Sequence, residues 1–171
     1  MIVRLLLCAC AFLLTACGYR VSGHADLLPS NVKSIAIPAF GNVTARYRLT
    51  DMLPRALTRE FITRTRYQVV ADENEADAVL RGAVVNYMFF PSVIDQTSGR
   101  AAGVQMLVVL QLNLIERASG KVLFARPSME VRNRYEIAID PRAYFEESDL
   151  ALDRVSRDVA RTVVSSVLEN F

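Results

Sequence analysis

The stretch Val104-Gln-Met-Leu-Val-Val-Leu-Gln-Leu-Asn-Leu-Ile-Glu116 alternates between two kinds of side chain. Every even-numbered position from Val104 to Leu114 is apolar, whereas the odd-numbered positions mix amides with leucine, valine and isoleucine. Because successive side chains of a strand point to opposite faces, the pattern predicts a β-strand with one buried face and one partly wetted face. A sheet built on such a strand needs a second layer that covers its apolar face.

Further strands are predicted on both sides of this one. The turn Ala118-Ser119-Gly120 leads into a long strand in which apolar and charged residues alternate, with Pro127 marking a break or a bulge. On the other side, short apolar runs are separated by polar connectors, and the stretch 41–47 is predicted to be a loop. The predicted strands are 34–40, 67–70, 78–90, 104–116 and 121–136.

Two amphipathic helices are predicted from apolar residues at helical spacing. The first runs from Asp51, as N-cap, to Arg64, with Pro54 in the first turn, where its missing N–H matters least. The second runs from Ser148, also as N-cap, to Glu169. Their apolar stripes are Leu53, Ala56, Leu57 and Phe61, and Leu152, Val155, Val159, Val163 and Val167.

The order strand, helix, several strands, helix predicts an α+β fold. We expect a two-layer sandwich in which a mostly antiparallel or mixed sheet of four to five strands carries both amphipathic helices on one face. Residues 32–171 form a single domain in this interpretation, with no internal repeat.

The N-terminus is typical of a lipoprotein precursor. Residues 1–16 have one basic residue, Arg4, followed by an apolar run too short to span a bilayer, which indicates a signal peptide. The run ends in Leu14-Thr-Ala-Cys17, which is similar to a bacterial lipobox, so Cys17 is the predicted lipidation site. Residues 17–31 would then be a lipidated tether, and Gly18 in place of a retaining aspartate indicates the outer membrane. An ordinary signal peptide followed by a chance cysteine is the alternative.

The composition argues against catalysis and against nucleic-acid binding. The 171 residues include 20 basic and 18 acidic side chains, and a near-neutral chain lacks the positive field that nucleic-acid binding requires. The one histidine, His24, lies in the predicted tether, so histidine-based active sites and zinc sites are not expected. The acidic stretch 72–77 lacks the spacing of a calcium loop. We therefore predict neither an enzyme nor a cofactor or metal site.

Arginine is the more informative residue type, because 18 of the 20 basic residues are arginine. Its planar guanidinium binds phosphate or carboxylate through two parallel hydrogen bonds. Arg100 and Arg142 are predicted to lie on loops and are the candidate ligand-binding residues. The run Tyr87-Met-Phe-Phe-Pro91 is by default core, with a contact patch as the alternative.

Several short motifs, taken together in their order and spacing, resemble the LptE family of lipopolysaccharide-assembly lipoproteins. The resemblance covers essentially the whole chain after the signal peptide. The motifs that carry it are Cys17-Gly-Tyr19, Gly23, Leu28-Pro29, Val32-Lys-Ser-Ile-Ala-Ile-Pro38, Asn42-Val-Thr44, Leu57-Thr-Arg-Glu-Phe61, Ala76-Asp-Ala-Val-Leu80 with Gly82, and Ala160–Phe171.

The resemblance implies a function and partners. Proteins of this family plug the lumen of the outer-membrane β-barrel LptD, assist its assembly and bind lipopolysaccharide during its transport. It therefore implies an LptD-type barrel, lipopolysaccharide and outer-membrane lipid as partners, with the chain at the periplasmic side and inside the barrel. The alternative is another outer-membrane lipoprotein, for example a regulator of peptidoglycan synthases.

Overall fold

The computed structural model describes residues 28–45, 47–97, 99, 101–136 and 141–169, with residues 101 and 141–149 described by their backbone alone. This part of the chain forms six strands and two helices. In chain order they are β1 (Ser34–Ala36), β2 (Gly41–Asn42), α1 (Leu49–Arg64), β3 (Gln68–Val70), β4 (Ala78–Ile94), β5 (Ala101–Glu116), β6 (Val122–Glu136) and α2 (Pro141–Glu169).

All six strands belong to one mixed sheet. Its order is β3-β1-β4-β5-β6, and β2 pairs separately with β4. The pairs among β1, β2, β3 and β4 are parallel, whereas β4, β5 and β6 form an antiparallel meander. We call the end that holds β1 and the start of β4 the proximal end, and the end that holds Ile94, Ala101 and Glu136 the distal end. The predicted α+β class is confirmed.

The core lies between the helices and one face of the sheet, here called the inner face. The even-numbered residues of β5 from Val104 to Leu114 are buried, as the alternation predicted. They share one apolar cluster with residues of α1 and α2 spaced four apart. The helix residues buried in this cluster are Leu49, Leu53, Leu57 and Phe61, and Val155, Val159, Val163 and Val167.

The last helix is longer than predicted. It begins at Pro141 rather than Ser148, so Ser148 lies inside the helix and is not its N-cap. Proline is well tolerated at the first helical position, where its missing N–H has no intrahelical partner to lose. As a consequence Arg142 lies in the first turn of α2, and the prediction of a loop at this position is wrong.

Two smaller predictions near α1 also need correction. The helix begins at Leu49, with Arg48 as N-cap, so Asp51 lies in the first turn, where its charge favours the positive helix end. The stretch 41–47 was predicted to be a loop, but its first two residues form the short strand β2. Gly41 and Asn42 pair in parallel with Ala83 and Val84.

Strand β4 continues past its predicted end at Phe90 to Ile94, and β5 correspondingly begins at Ala101 rather than at Val104. Pro91 does not end β4 because this part of β4 lies at an edge of the sheet, where a missing N–H removes no ladder bond. A bulge at Val85 shifts the register of β4 against β5. Before the bulge the even-numbered residues face inward; after it the odd-numbered residues do.

Gly82 allows an aromatic ring to lie directly on the sheet. The buried side chain of Phe40 covers this position, and a Cβ built on Gly82 would lie 2.6 Å from Cζ and 2.8 Å from Cδ2 of that ring. Carbon atoms in contact are normally about 3.5–4.0 Å apart. The ring therefore occupies the space that any side chain at position 82 would need.

Asp77 joins three strands at the proximal end. Its Oδ2 accepts hydrogen bonds from the backbone N–H of Lys33 at 2.8 Å, the backbone N–H of Ser34 at 2.9 Å and the hydroxyl of Ser34 at 3.0 Å. Its own carbonyl accepts from the N–H of Arg117 at 2.8 Å, just beyond β5. The backbone bonds from Lys33 and then Ser34 lower the pKa of the Asp77 carboxyl below its ordinary value.

A polar bridge connects α2 to β6 on the inner face. Asp158 Oδ2 accepts hydrogen bonds from Asn133 Nδ2 at 2.6 Å and from the Tyr135 hydroxyl at 2.8 Å. Burial, followed by the bond to Asp158, raises the pKa of Tyr135 to about 12. Tyr135 is therefore a neutral donor at physiological pH, and its bond to Asp158 links β6 to α2.

Candidate functional site

The predicted site residues are only partly covered by the structure. Cys17 and Arg100 lie outside the described residues, and of Arg142 only the backbone, in the first turn of α2, is described. On the described surface, exposed apolar side chains beside charged ones are the features that mark a binding site.

Such a combination lies on the outer face of the sheet, toward the distal end. Register brings Phe90, Gln105 and Arg134 into one cross-strand row, and Met88, Leu107 and Arg132 into the next. Directly paired residues project from the same face, so these rows form one continuous surface. We call this surface the distal outer face; it consists of Met88, Phe90, Gln105, Leu107, Val109, Glu130, Arg132, Arg134 and Glu136.

The β6 side of the distal outer face is charged, with Arg132 and Arg134 lying between Glu130 and Glu136. The Arg132 guanidinium donates to Glu130 Oε2 at 2.7 Å, with both side chains largely exposed. Exposed ion pairs of this kind contribute about 0–1 kcal/mol, so a stronger anionic ligand can replace the carboxylate. The neighbouring Arg134 is exposed and has no ion pair within the described residues.

The β4 side of the same surface is apolar. The Phe90 ring is 50% exposed, and Met88, Leu107 and Val109 are half-buried between it and the arginines. The surface therefore changes across the sheet from an apolar strand to a charged strand that has two neighbouring arginines at its centre. That gradient suits an amphiphile whose hydrocarbon part lies against β4 and β5 and whose phosphate reaches the guanidinium groups of β6.

This surface was not predicted from the sequence, although the alternation of residues in β6 is one sign of it. The alternation in β6 showed that Arg132 and Arg134 share a face, but only the register with β5 shows what lies beside them. For the run 87–91, core packing was the default prediction. Tyr87 does contact the core, whereas Phe89 and Phe90 are 46% and 50% exposed, so the alternative of a contact patch describes these two better.

Other features of the described residues do not suggest chemistry. An open cavity of about 370 Å³ at the proximal end is lined by Leu28, Lys33 and Tyr67 among others. The acidic stretch 72–77 is explained by structure, because Glu73 pairs with Arg81 at 2.9 Å and Asp77 binds β1. Within the described residues no three His, Cys, Asp or Glu side chains converge as metal ligands would.

None of the described helices combines the length and the apolarity that a bilayer crossing requires.

Solved structures share this fold at low sequence identity. Rare lipoprotein B from Shewanella oneidensis matches with a TM-score of 0.51 and 16% identity, covering 80% of this chain and 95% of that chain. Lipoprotein B from Nitrosomonas europaea matches with a TM-score of 0.50 and 15% identity, over 90% and 96% of the two chains. PelC from Paraburkholderia phytofirmans, a dodecamer, matches with a TM-score of 0.53 and 14% identity, over 82% and 92%.

The family comparison is more specific. No curated protein sequence matches the chain. The family model for lipopolysaccharide assembly, LptE, matches residues 32–167, which include every strand and nearly all of α2. This range also contains the motifs from which the resemblance was inferred, except those before residue 32 and the last few residues. The chain therefore belongs to the LptE family of lipopolysaccharide-assembly proteins.

Proposed function

We propose that this protein is a non-catalytic lipoprotein of the outer-membrane lipopolysaccharide translocon. In this proposal Cys17 carries the lipid, the chain lies at the periplasmic side of the outer membrane, and the folded domain enters the lumen of an LptD-type β-barrel. There it plugs the barrel, assists its assembly and binds lipopolysaccharide in transit. Family membership supports a role in lipopolysaccharide assembly.

The outer face of the sheet supports the barrel partner. Its amides, arginines and half-buried apolar side chains resemble neither a core face nor a fully wetted face. The lumen of a transmembrane barrel is polar, so a surface of mixed polarity can lie against it without burying an uncompensated charge.

The distal outer face is the observation that carries the ligand proposal. Lipopolysaccharide combines phosphate and sugar-acid groups with hydrocarbon chains, and Arg132 and Arg134 lie beside exposed Phe90 and half-buried Leu107. Exposed guanidinium groups can bind phosphate through paired hydrogen bonds, and the adjacent apolar strand can cover hydrocarbon. Arg100 and Arg142 stay part of the proposal as further ligand residues.

Co-purification tests the partner. Tagged full-length protein, extracted from membranes with mild detergent, is expected to bring down an outer-membrane barrel in stoichiometric amount, identified by mass spectrometry. Recovery of a peptidoglycan synthase in place of the barrel would support the alternative of a periplasmic regulator and would contradict the proposal.

Charge reversal tests the ligand surface. Arg132→Glu with Arg134→Glu is expected to weaken binding of purified lipopolysaccharide by about tenfold, because two phosphate donors become repulsive carboxylates. Binding of fluorescently labelled lipopolysaccharide measures the effect, and far-UV circular dichroism checks that the fold is kept. Arg100→Glu with Arg142→Glu, measured alongside, tests the other proposed pair.

The matched control is Arg154→Glu with Arg157→Glu, which reverses two exposed arginines on α2, in the other layer of the fold. It changes the net charge equally and should leave affinity unchanged. Equal losses in the β6 pair and the α2 pair would mean a general charge effect. Unchanged binding in the β6 pair would remove the distal outer face from the site.

A further inference from the structure

The distal part of β4 is an edge strand. Beyond Val84, where β2 ends its pairing, β4 bonds only to β5 within the described part of the chain. Exposed edges of this kind usually carry charges or proline residues that oppose pairing with another chain, and the one proline here is Pro91. The stretch 82–94 of β4 contains no charged residue at all, although Phe89, Phe90, Val93 and Ile94 are 46–60% exposed.

The opposite edge of the same meander is protected in the usual way. Strand β6 carries five charged residues along its length, which is a common way to protect an exposed edge. Strand β3, which ends the sheet on the other side, is only three residues long. The charged residues of β6 are Arg126, Glu130, Arg132, Arg134 and Glu136.

The register shows which backbone groups the β4 edge presents. Pro91 pairs with Val104 although it has no N–H, so this pair is of the type in which the two residues do not exchange hydrogen bonds. The pairing is regular from Asn86 to Pro91, and the two types alternate. The pair of Phe89 with Met106 is therefore of the same type, and the N–H and C=O of Phe89 point away from β5.

We infer that this edge binds a second copy of the chain by antiparallel strand addition centred on Phe89. Two such edges are related by a twofold axis, so each Phe89 donates its N–H to the carbonyl of the other. Met88 of one copy then lies opposite Phe90 of the other, on the outer face. Tyr87 lies opposite Pro91, whose carbonyl can accept a hydrogen bond but which has no N–H to donate, so each of these two pairs lacks one bond. The absence of charge over 82–94 favours this occupant, because identical neutral edges do not repel each other.

The interface is one strand wide, so we expect association of the transient class rather than a permanent dimer. The inference goes beyond the proposed function and concerns protein that is not held by another partner. Its test uses purified chain without barrel or lipopolysaccharide, so its outcome is independent of the tests of the proposed function.

A disulfide across the twofold axis tests the geometry. Phe89→Cys brings two thiols together across a pair whose Cα atoms are about 5.5 Å apart, within the range for a disulfide. Mild oxidation of the purified full-length chain in detergent should give a species of twice the chain mass on a non-reducing gel. Ile62→Cys, at a 60% exposed position on α1, is the matched control, and the unmodified chain gives the background from the cysteines that it already carries.

A charge swap in the Phe89→Cys background tests the register. Met88→Lys with Phe90→Lys places lysines opposite each other at both ends of the pair and should reduce the cross-linked species by about tenfold. Met88→Lys with Phe90→Asp changes the same positions but places opposite charges together, so cross-linking should be retained. This second variant also shows whether the substitutions are compatible with folding.

Two results would overturn the inference. The first is cross-linking of Ile62→Cys as efficient as that of Phe89→Cys, and the second is an equal response to both charge variants.

Discussion

Replacing Gly82 with alanine is expected to lower the free energy of unfolding by about 2 kcal/mol. The new methyl group would enter the space of the Phe40 ring, which is buried and cannot swing into solvent. Either the ring leaves its rotamer or β4 moves away from it, and both responses disturb the contacts of neighbouring core residues. Urea denaturation followed by circular dichroism measures the change as a lower midpoint at unchanged slope.

A double-mutant cycle identifies the cause. Phe40→Leu alone should also destabilise the protein, because it leaves a cavity above the sheet. In the double variant the added methyl group partly fills that cavity, so the combined loss should be smaller than the sum of the two single losses. Additive losses would show that the Phe40 ring is not what restricts position 82, and the explanation by overpacking would fail.

Asp77→Ala is expected to lower the free energy of unfolding by about 2–3 kcal/mol, because a single carboxylate satisfies three donors of β1 and its approach. Its loss leaves the N–H groups of Lys33 and Ser34 without their acceptor where β1 joins the sheet. Glu75→Ala removes a neighbouring carboxylate from the exposed acidic stretch and should change stability by less than about 0.5 kcal/mol.

The lowered pKa of Asp77 adds a pH signature. A carboxyl group whose pKa is lower in the folded state than its unfolded value of 3.8 stabilises the fold fully above that value. The contribution is lost as the pH falls through the folded pKa. The stability difference between the unmodified chain and Asp77→Asn should therefore be constant at neutral pH and shrink below about pH 4. A difference that stays constant into strong acid would contradict the role of the charge.

The two layers of the fold were predictable because the spacing of apolar residues within each strand or helix shows which of its faces is buried. The alternation of 104–116 shows its buried face without knowledge of any neighbour, and the four-residue spacing of Val155, Val159, Val163 and Val167 does the same for α2. Both signals are local, and local signals can be read from one sequence.

The candidate surface depends on information that is not local. The bulge at Val85 reverses the alternation of β4, so the inward positions change from even to odd within the strand. The position of the extra residue in a bulge cannot be located from the alternation of apolar and polar residues in the sequence. The row of Met88, Leu107 and Arg132 then depends on two registers, and the parallel pairing of β1 with β4 joins residues more than forty positions apart.

The mixed topology of the sheet also bears on the order in which the protein folds. The hairpins of β4, β5 and β6 close short loops, which costs little chain entropy and favours early formation. Strand β1 leaves the ribosome before its sheet partner β4, which begins about forty residues later in the chain. Strand β1 is therefore synthesised before the strand edge of β4 with which it pairs, and the antiparallel meander of β4, β5 and β6 supplies that edge once it has formed.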